Sequence, residues 1–282
     1  MKTFEFSNKQ TIPAVGFGVF QIPNNGPTYE ATLSALKAGY RHIDTAAGYM
    51  NESDVGKAIK ASEIDREDIF ITSKLWLQDY GYENAKKGIE NSLKALDVEY
   101  IDLYLLHQPY GDYLGAWKAL EEAVHEGKIK SIGVSNITVN LWNKFKDGMT
   151  IMPVVNQVEF NPFIQQKELR KIMKENNILL EAWYPLGHGN KDLLENETIV
   201  SIAKKYNKNT GQIILRWIYQ EGVISLPKST NSTRMKGNID IFDFELTNEE
   251  MTSIRALDTE IPTHNPEDPV NETRLMGLKI HD

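Results

Sequence analysis

Four residues in the first part of the chain, Asp44, Tyr49, Lys74 and His107, form a set that could handle a proton. A phenol with an ordinary pKa of about 10 exchanges protons poorly at neutral pH. A neighbouring ammonium favours the phenolate and lowers that value. A carboxylate paired with the lysine holds it in place and keeps it charged. A neutral imidazole can hydrogen-bond a carbonyl oxygen and orient it. Together the four suit protonation of a carbonyl while a hydride arrives from a cofactor, the one component no side chain supplies. A second set lies in residues 223–238, V-I-S-L-P-K-S-T-N-S-T-R-M-K-G-N. There a strand ends in Pro227-Lys228-Ser229, and a polar turn leads to a helix with Arg234 in its first turn. A helix N-terminus flanked by Lys and Arg forms an anion pocket.

Each residue alone has a plainer reading. Asp44 with Lys74 could be a structural ion pair, Tyr49 a surface phenol, His107 a core histidine, Trp183 a core indole, and the basic turn merely solvated. His42 lies two residues before Asp44, shares its inward face and reads as interior packing. A metal reading of His42, Asp44 and His107, as in a metal-dependent hydrolase, is weak because it lacks further His or carboxylate ligands at other strand ends. What favours chemistry is that one fold brings all these positions together.

That fold follows from alternating strand and helix patterns. Phe4, Phe6 and Ile12 read as the arms of a hairpin turning at Ser7 to Gln10. Val15 to Val19 is the first core strand; Gly16 and Gly18 fit no dinucleotide fingerprint, because Gln21 stands where the third glycine is needed, and they read as close packing. Thr28 caps a helix that Gly39 stops. Strands then recur at Arg41–Asp44, Ile69–Lys74, Ile101–His107, Lys130–Ser135, Pro153–Glu159, Ile178–Trp183 and Val223–Pro227, with helical spacing between them. About eight strand/helix units make a (β/α)8 barrel the expected architecture, built as one domain over residues 1–282. A hairpin precedes the barrel, and the Pro-rich tail after Asp258 is expected to lie as a loop over one face. Such barrels gather the C-terminal ends of their strands at one mouth. Those ends are Val19 and Phe20, Asp44, Lys74, His107, Ser135 and Asn136, Gln157, Trp183, and Pro227 and Lys228.

Bulk properties narrow the field. With 282 residues and 41% hydrophobic content, the chain can bury one large core. A net charge of −8 argues against a nucleic-acid or anionic-membrane surface. The absence of cysteine removes disulfides, thiolate nucleophiles and Cys-ligated metals. The N-terminus has no apolar signal core, so a cytoplasmic protein is expected, and a monomer is compatible with the acidic surface.

The motifs G-Y-R-H-I-D-T-A-A-G-Y-M-N-E, I-T-S-K-L-W, L-L-H-Q-P, I-G-V-S-N, N-Q-V-E, E-A-W-Y-P-L-G and L-P-K-S-T run in order along nearly the whole chain. In these the chain resembles the aldo-keto reductases. The resemblance is to the short prokaryotic type, near the 2,5-diketogluconate and small-aldehyde or methylglyoxal reductases. It implies Tyr49 as proton donor, Lys74 as the group that lowers its pKa, Asp44 as partner of Lys74, and His107 as the residue orienting the carbonyl. It implies NADPH as cofactor, with Ser135, Asn136 and Gln157 at the carboxamide and Trp183 stacked on the nicotinamide. Leu186 and Gly187 would lie along the pyrophosphate. Lys228, Ser229 and Arg234 would hold the 2′-phosphate, and Asn238 would lie near adenine. Val19, Phe20 and Asp44 complete the cofactor set. A small carbonyl substrate would meet Phe20, Trp76, His107, Gln108 and Tyr110. Several positions depart from the usual pattern: Gly237 for a Glu at adenine, Gln108 and Phe20 for Trp, and Tyr184 for Ser or Gly. The stretch from Gly187 to Leu193 is too short for a long loop over the pyrophosphate. A different class remains open: a cofactor-binding barrel used as a redox sensor or interaction subunit.

Overall fold

The structure, a computed structural model, describes residues 2–281. A hairpin of β1 (Thr3–Glu5) and β2 (Thr11–Pro13) comes first, paired antiparallel. The remaining strands are β3 (Phe17–Gly18), β4 (His42–Asp44), β5 (Phe70–Leu75), β6 (Ile101–Leu106), β7 (Ile129–Ser135), β8 (Val155–Glu159), β9 (Leu179–Trp183) and β10 (Ile224–Ser225). They stand side by side in chain order, each parallel to the next. Val15 bridges Ser225 in the parallel sense and closes the wall. The closing hydrogen bonds are Gly16 N to Ser225 O at 2.8 Å, Ser225 N to Ala14 O at 3.0 Å and Gly18 N to Pro227 O at 3.4 Å. This is the (β/α)8 barrel with its preceding hairpin that the alternating pattern predicts.

Strand alternation decides what faces the barrel axis. The hairpin residues Phe6 and Ile12 share a buried cluster with Phe70, Leu103, Leu105, Val155 and Ile224, which fills the barrel at the hairpin end. Tyr104 and Leu106, one residue out of step, belong instead to the larger core against the helices. Moving two residues at a time toward the C-terminal ends, Phe70 gives way to Thr72 and Lys74, and Val155 to Gln157. The inward positions thus change from apolar to polar or charged along the axis. His42 is fully buried there, its Nε2 2.9 Å from Thr72 Oγ1, as the interior reading expects. Gly16 is glycine for the same reason: a Cβ at that position would lie 2.5 Å from His42 Nδ1.

Three local expectations are revised. Thr28 does not cap its helix, which runs Pro27–Ala38 behind Gly26. Its hydroxyl is buried and donates back to the carbonyls of Ile22 and Pro23. The first core strand is shorter than Val15 to Val19, because pairing beyond β3 is limited to the single bridge at Val15. The tail is more than a loop: it contains the helix Pro269–Met276, with Asp268 capping it and Pro at its first turn. Gly39 does end its helix, with φ 108° and its N–H bonded to Leu36 O.

Candidate active site

Strand parity carries Asp44, Lys74 and Gln157 to one end of the barrel axis, and His107 follows β6 directly. After Asp44 the chain leaves the wall in a short 3-10 turn, Ala47–Tyr49, that returns the Tyr49 phenol over the strand ends. Asn51 braces this turn, and its role was not anticipated. Its amide donates to Val19 O, Ile22 O and Thr28 Oγ1, and its carbonyl accepts from Thr45 Oγ1.

Lys74 is the centre of the group and is 0% exposed. Its Nζ donates to Asp44 Oδ1 at 2.7 Å and Oδ2 at 2.9 Å, to Thr45 O at 2.9 Å and to Tyr49 Oη at 3.3 Å. Every ammonium hydrogen is therefore engaged. Burial opposes charge on Lys74, but the Asp44 carboxylate, joined by Tyr49 and Glu181, outweighs it and holds the ammonium above the ordinary lysine range. Because Tyr49 Oη accepts from Lys74, its own hydrogen is left to point elsewhere. Burial pushes the phenol up to about 12 despite the opposing pull of Lys74. The ammonium acts in the direction the sequence predicts, and desolvation outweighs it.

The His107 ring stands edge-on to Tyr49 at 5.5 Å between centroids and to Trp76 at 5.2 Å. Burial, then the charge of Lys74, holds the imidazole well below its usual range, so it is neutral. Its Nδ1 has no hydrogen-bond partner among the described residues.

The other expected residues sort into connected groups. Trp183 donates from Nε1 to Asn136 Oδ1 at 2.9 Å, and Asn136 Nδ2 reaches Gln108 Oε1 at 3.3 Å and His107 O at 3.4 Å. Asn136 occupies the left-handed region, φ 59°, which Asn tolerates. Ser135 Oγ turns to Gln157 O, and Gln157 Nε2 donates to Asp44 Oδ2 at 2.9 Å. Val19 is buried and donates its N–H to Asp44 O. Phe20 is exposed, with its ring 4.9 Å from Tyr49 and 6.4 Å from Tyr184. Tyr184 in turn packs on Trp183 and His188.

Farther along the mouth, Leu186 precedes the tight turn Gly187–Gly189, and the helix Lys191–Leu194 follows at once. No long loop arises there, as the residue count predicts. Asn231 caps the helix Ser232–Ile239, Arg234 Nε donates to Ser229 Oγ at 3.2 Å, and Lys228 is exposed. Neither Lys228 nor Arg234 has an acidic partner among the described residues. Asn238 is buried in that helix beside Tyr40.

The tail packs against side chains at the strand ends. Trp76 Nε1 donates to Leu278 O at 2.8 Å, and Thr263 is held by Glu159 through both its N–H and its hydroxyl. Tyr110 is buried beneath, its hydroxyl without a partner among the described residues. Tyr80 exchanges hydrogen bonds with the Gln108 backbone and fixes that side chain's base. Glu181, fully buried two residues before Trp183, was also not anticipated. Its signal was the one that placed His42, the inward parity of a strand.

Comparison with known proteins agrees with this geometry. Residues 14–259 match the Aldo/keto reductase family. The chain is 48% identical over 256 residues to the glyoxal reductase of Bacillus subtilis (strain 168), covering 90% of this chain and 92% of that protein. It is 40% identical over 250 residues to the methylglyoxal reductase DkgA of Escherichia coli (strain K12), covering 88% and 90%. The crystal structure of MGS-M4, an aldo-keto reductase from a Medee basin deep-sea metagenome library, superposes with a TM-score of 0.90 at 44% identity over 93% of this chain and 97% of that one. With motifs, barrel and relatives in agreement, the chain belongs to the aldo/keto reductase family.

Proposed function

We propose that the chain reduces an aldehyde or ketone to the alcohol with NADPH, and that Tyr49 gives the proton. The observation that carries this reading is the contact of Tyr49 Oη, 3.3 Å from a Lys74 ammonium that Asp44 grips through both carboxylate oxygens. When bound, the reduced nicotinamide supplies the hydride. The protein residues do the rest. Neutral His107 donates to the substrate oxygen and turns it toward Tyr49. The phenol holds a proton at Oη that it releases only as negative charge builds on that oxygen. Lys74 stabilises the phenolate left behind, and Asp44 keeps Lys74 charged. Phe20, Trp76, Gln108 and Tyr110 line the substrate side and limit water.

The residues present fit a phosphorylated dinucleotide. Lys228 and Arg234 lack acidic partners among the described residues and flank a capped helix N-terminus, the donor set a 2′-phosphate requires. In this assignment Ser229 shares that phosphate and Asn238 lies at adenine. Leu186 and Gly187 follow the pyrophosphate, and Val19 and Phe20 border the nicotinamide ribose. Ser135, Asn136 and Gln157 take the carboxamide, with Trp183 against the ring. Glyoxal and methylglyoxal reductases among the relatives make small dicarbonyls the first substrates to test, and they favour turnover over a redox-sensing subunit. The check is consumption of NADPH across dicarbonyls, aromatic aldehydes and keto sugars. Turnover with at least one class, faster with NADPH than with NADH, is expected. A panel in which nothing consumes NADPH overturns the reading.

A further inference from the structure

Among the ionisable groups of the barrel interior that this chemistry does not use, one is tied directly to it. Glu181 on β9 is fully buried, and its Oε2 accepts from Gln157 Nε2 at 2.6 Å. The same nitrogen gives its other hydrogen to Asp44 Oδ2 at 2.9 Å. One amide thus joins a carboxylate from β4 to one from β9. Glu181 Oε1 has no hydrogen-bond partner among the described residues and lies 3.8 Å from His42 Nε2. The titratable groups around it are His42 and Asp44 from β4 and Lys74 from β5; Gln157 from β8 is neutral, and β10 contributes Ile224 and Ser225.

Lys74 is the cation of this interior, and its hydrogens are already committed to Asp44, Thr45 and Tyr49. His42 supplies no charge, because burial, then Lys74, lowers its pKa to about 3. Two buried carboxylates sharing one ammonium cannot both ionise without a large desolvation cost.

We propose that Glu181 is a positioning residue for the reducing site: by holding one hydrogen of the Gln157 amide it fixes the other on Asp44, and so sets Lys74 beneath Tyr49. The proposal rests on the carbonyl-reductase reading above. Glu181 acts as a neutral acid with its proton on Oε1, the oxygen that accepts nothing. Burial first, then the charge of Asp44, pushes its carboxyl up to about 8. Above that pH an added negative charge strengthens the hold of Lys74 on its proton. By the same attraction Tyr49 becomes a weaker donor, and reduction slows.

Two variants test this. Glu181→Leu removes the acceptor, and kcat for NADPH-dependent reduction is expected to fall about tenfold, with KM for the carbonyl changed by less than about twofold. Glu181→Gln keeps the volume and an acceptor for Gln157, and should recover most of that loss at pH 7. The wild-type rate should decline from about pH 8 upward. The Gln variant should hold its rate to higher pH, so that the variant-to-wild-type ratio rises about tenfold across this range. Infrared spectroscopy of the full-length protein gives a readout apart from turnover. The wild type should show a protonated-carboxyl stretch at neutral pH that fades on the alkaline side and is missing from the Gln variant. An identical alkaline decline in both proteins, or the same carboxyl stretch in both, overturns the inference. Failure of the wild type to consume NADPH would instead sink the reductase reading, while the infrared comparison still decides the charge state of Glu181.

Discussion

Tyr49→Phe is expected to lower kcat for carbonyl reduction by about a thousandfold, the middle of the range a positioned proton donor supplies. The substitution removes one oxygen and leaves the ring. The ring keeps its neighbours Phe20, 4.9 Å away, and His107, 5.5 Å away. Lys74 keeps three of its four contacts, those to Asp44 and Thr45. Cofactor affinity, read from quenching of NADPH fluorescence, should therefore stay within about twofold, because no proposed cofactor contact involves Oη. The loss should fall in kcat and not in KM, since the phenol acts in the transition state. A Phe variant with wild-type turnover would remove Tyr49 from the mechanism and leave the Lys74 network without a chemical task.

Lys228→Ala combined with Arg234→Ala should weaken NADPH on the order of a hundredfold and NADH by less than about threefold. A hydrogen bond to a charged group contributes about 1.5–3 kcal/mol, and two such contacts to one phosphate set the scale after a discount for their exposure. Arg234 is already steered by its bond to Ser229 Oγ, so less ordering is required when an anion arrives. High salt should narrow the gap between the two cofactors in the wild type and have little effect in the double variant. Equal losses for both nucleotides, measured by titration, would refute the 2′-phosphate assignment.

How much could be read before the structure differs from residue to residue. Asp44, Lys74, His107, Gln157 and Trp183 were legible as a group because each lies at or near the C-terminal end of an apolar strand. A barrel turns that one-dimensional regularity into proximity. The left-handed stop at Gly39 was legible because it is a local rule of backbone geometry. Thr28 misled because a threonine before an amphipathic run looks the same whether its hydroxyl caps the helix or bonds backward into a buried loop. The helix Pro269–Met276 was hidden by the proline and polar content around it. Glu181 could be placed on an inward face, but nothing along the chain says that Gln157, on the neighbouring strand, would tie it to Asp44. The phenol of Tyr49 is the sharpest case. The sign of the lysine's effect follows from residue types alone, whereas burial, the larger effect, depends on packing from every surrounding element.

The junction between β3 and β10 has a consequence of its own. Both strands are two residues long, and the wall closes there through a few backbone bonds around Gly16 and Ser225. This is the thinnest seam in the cylinder, so native breathing should begin there, and the amides of Gly16, Gly18 and Ser225 should trade hydrogen for deuterium before those of β5 and β6. Val19 and Phe20 leave one edge of the seam, and Lys228 and Ser229 leave the other. A dinucleotide lodged across both edges would act as a clasp, and NADPH should slow exchange at those amides more than elsewhere in the wall. Uniform protection, or none, would mean that the clasp does not exist.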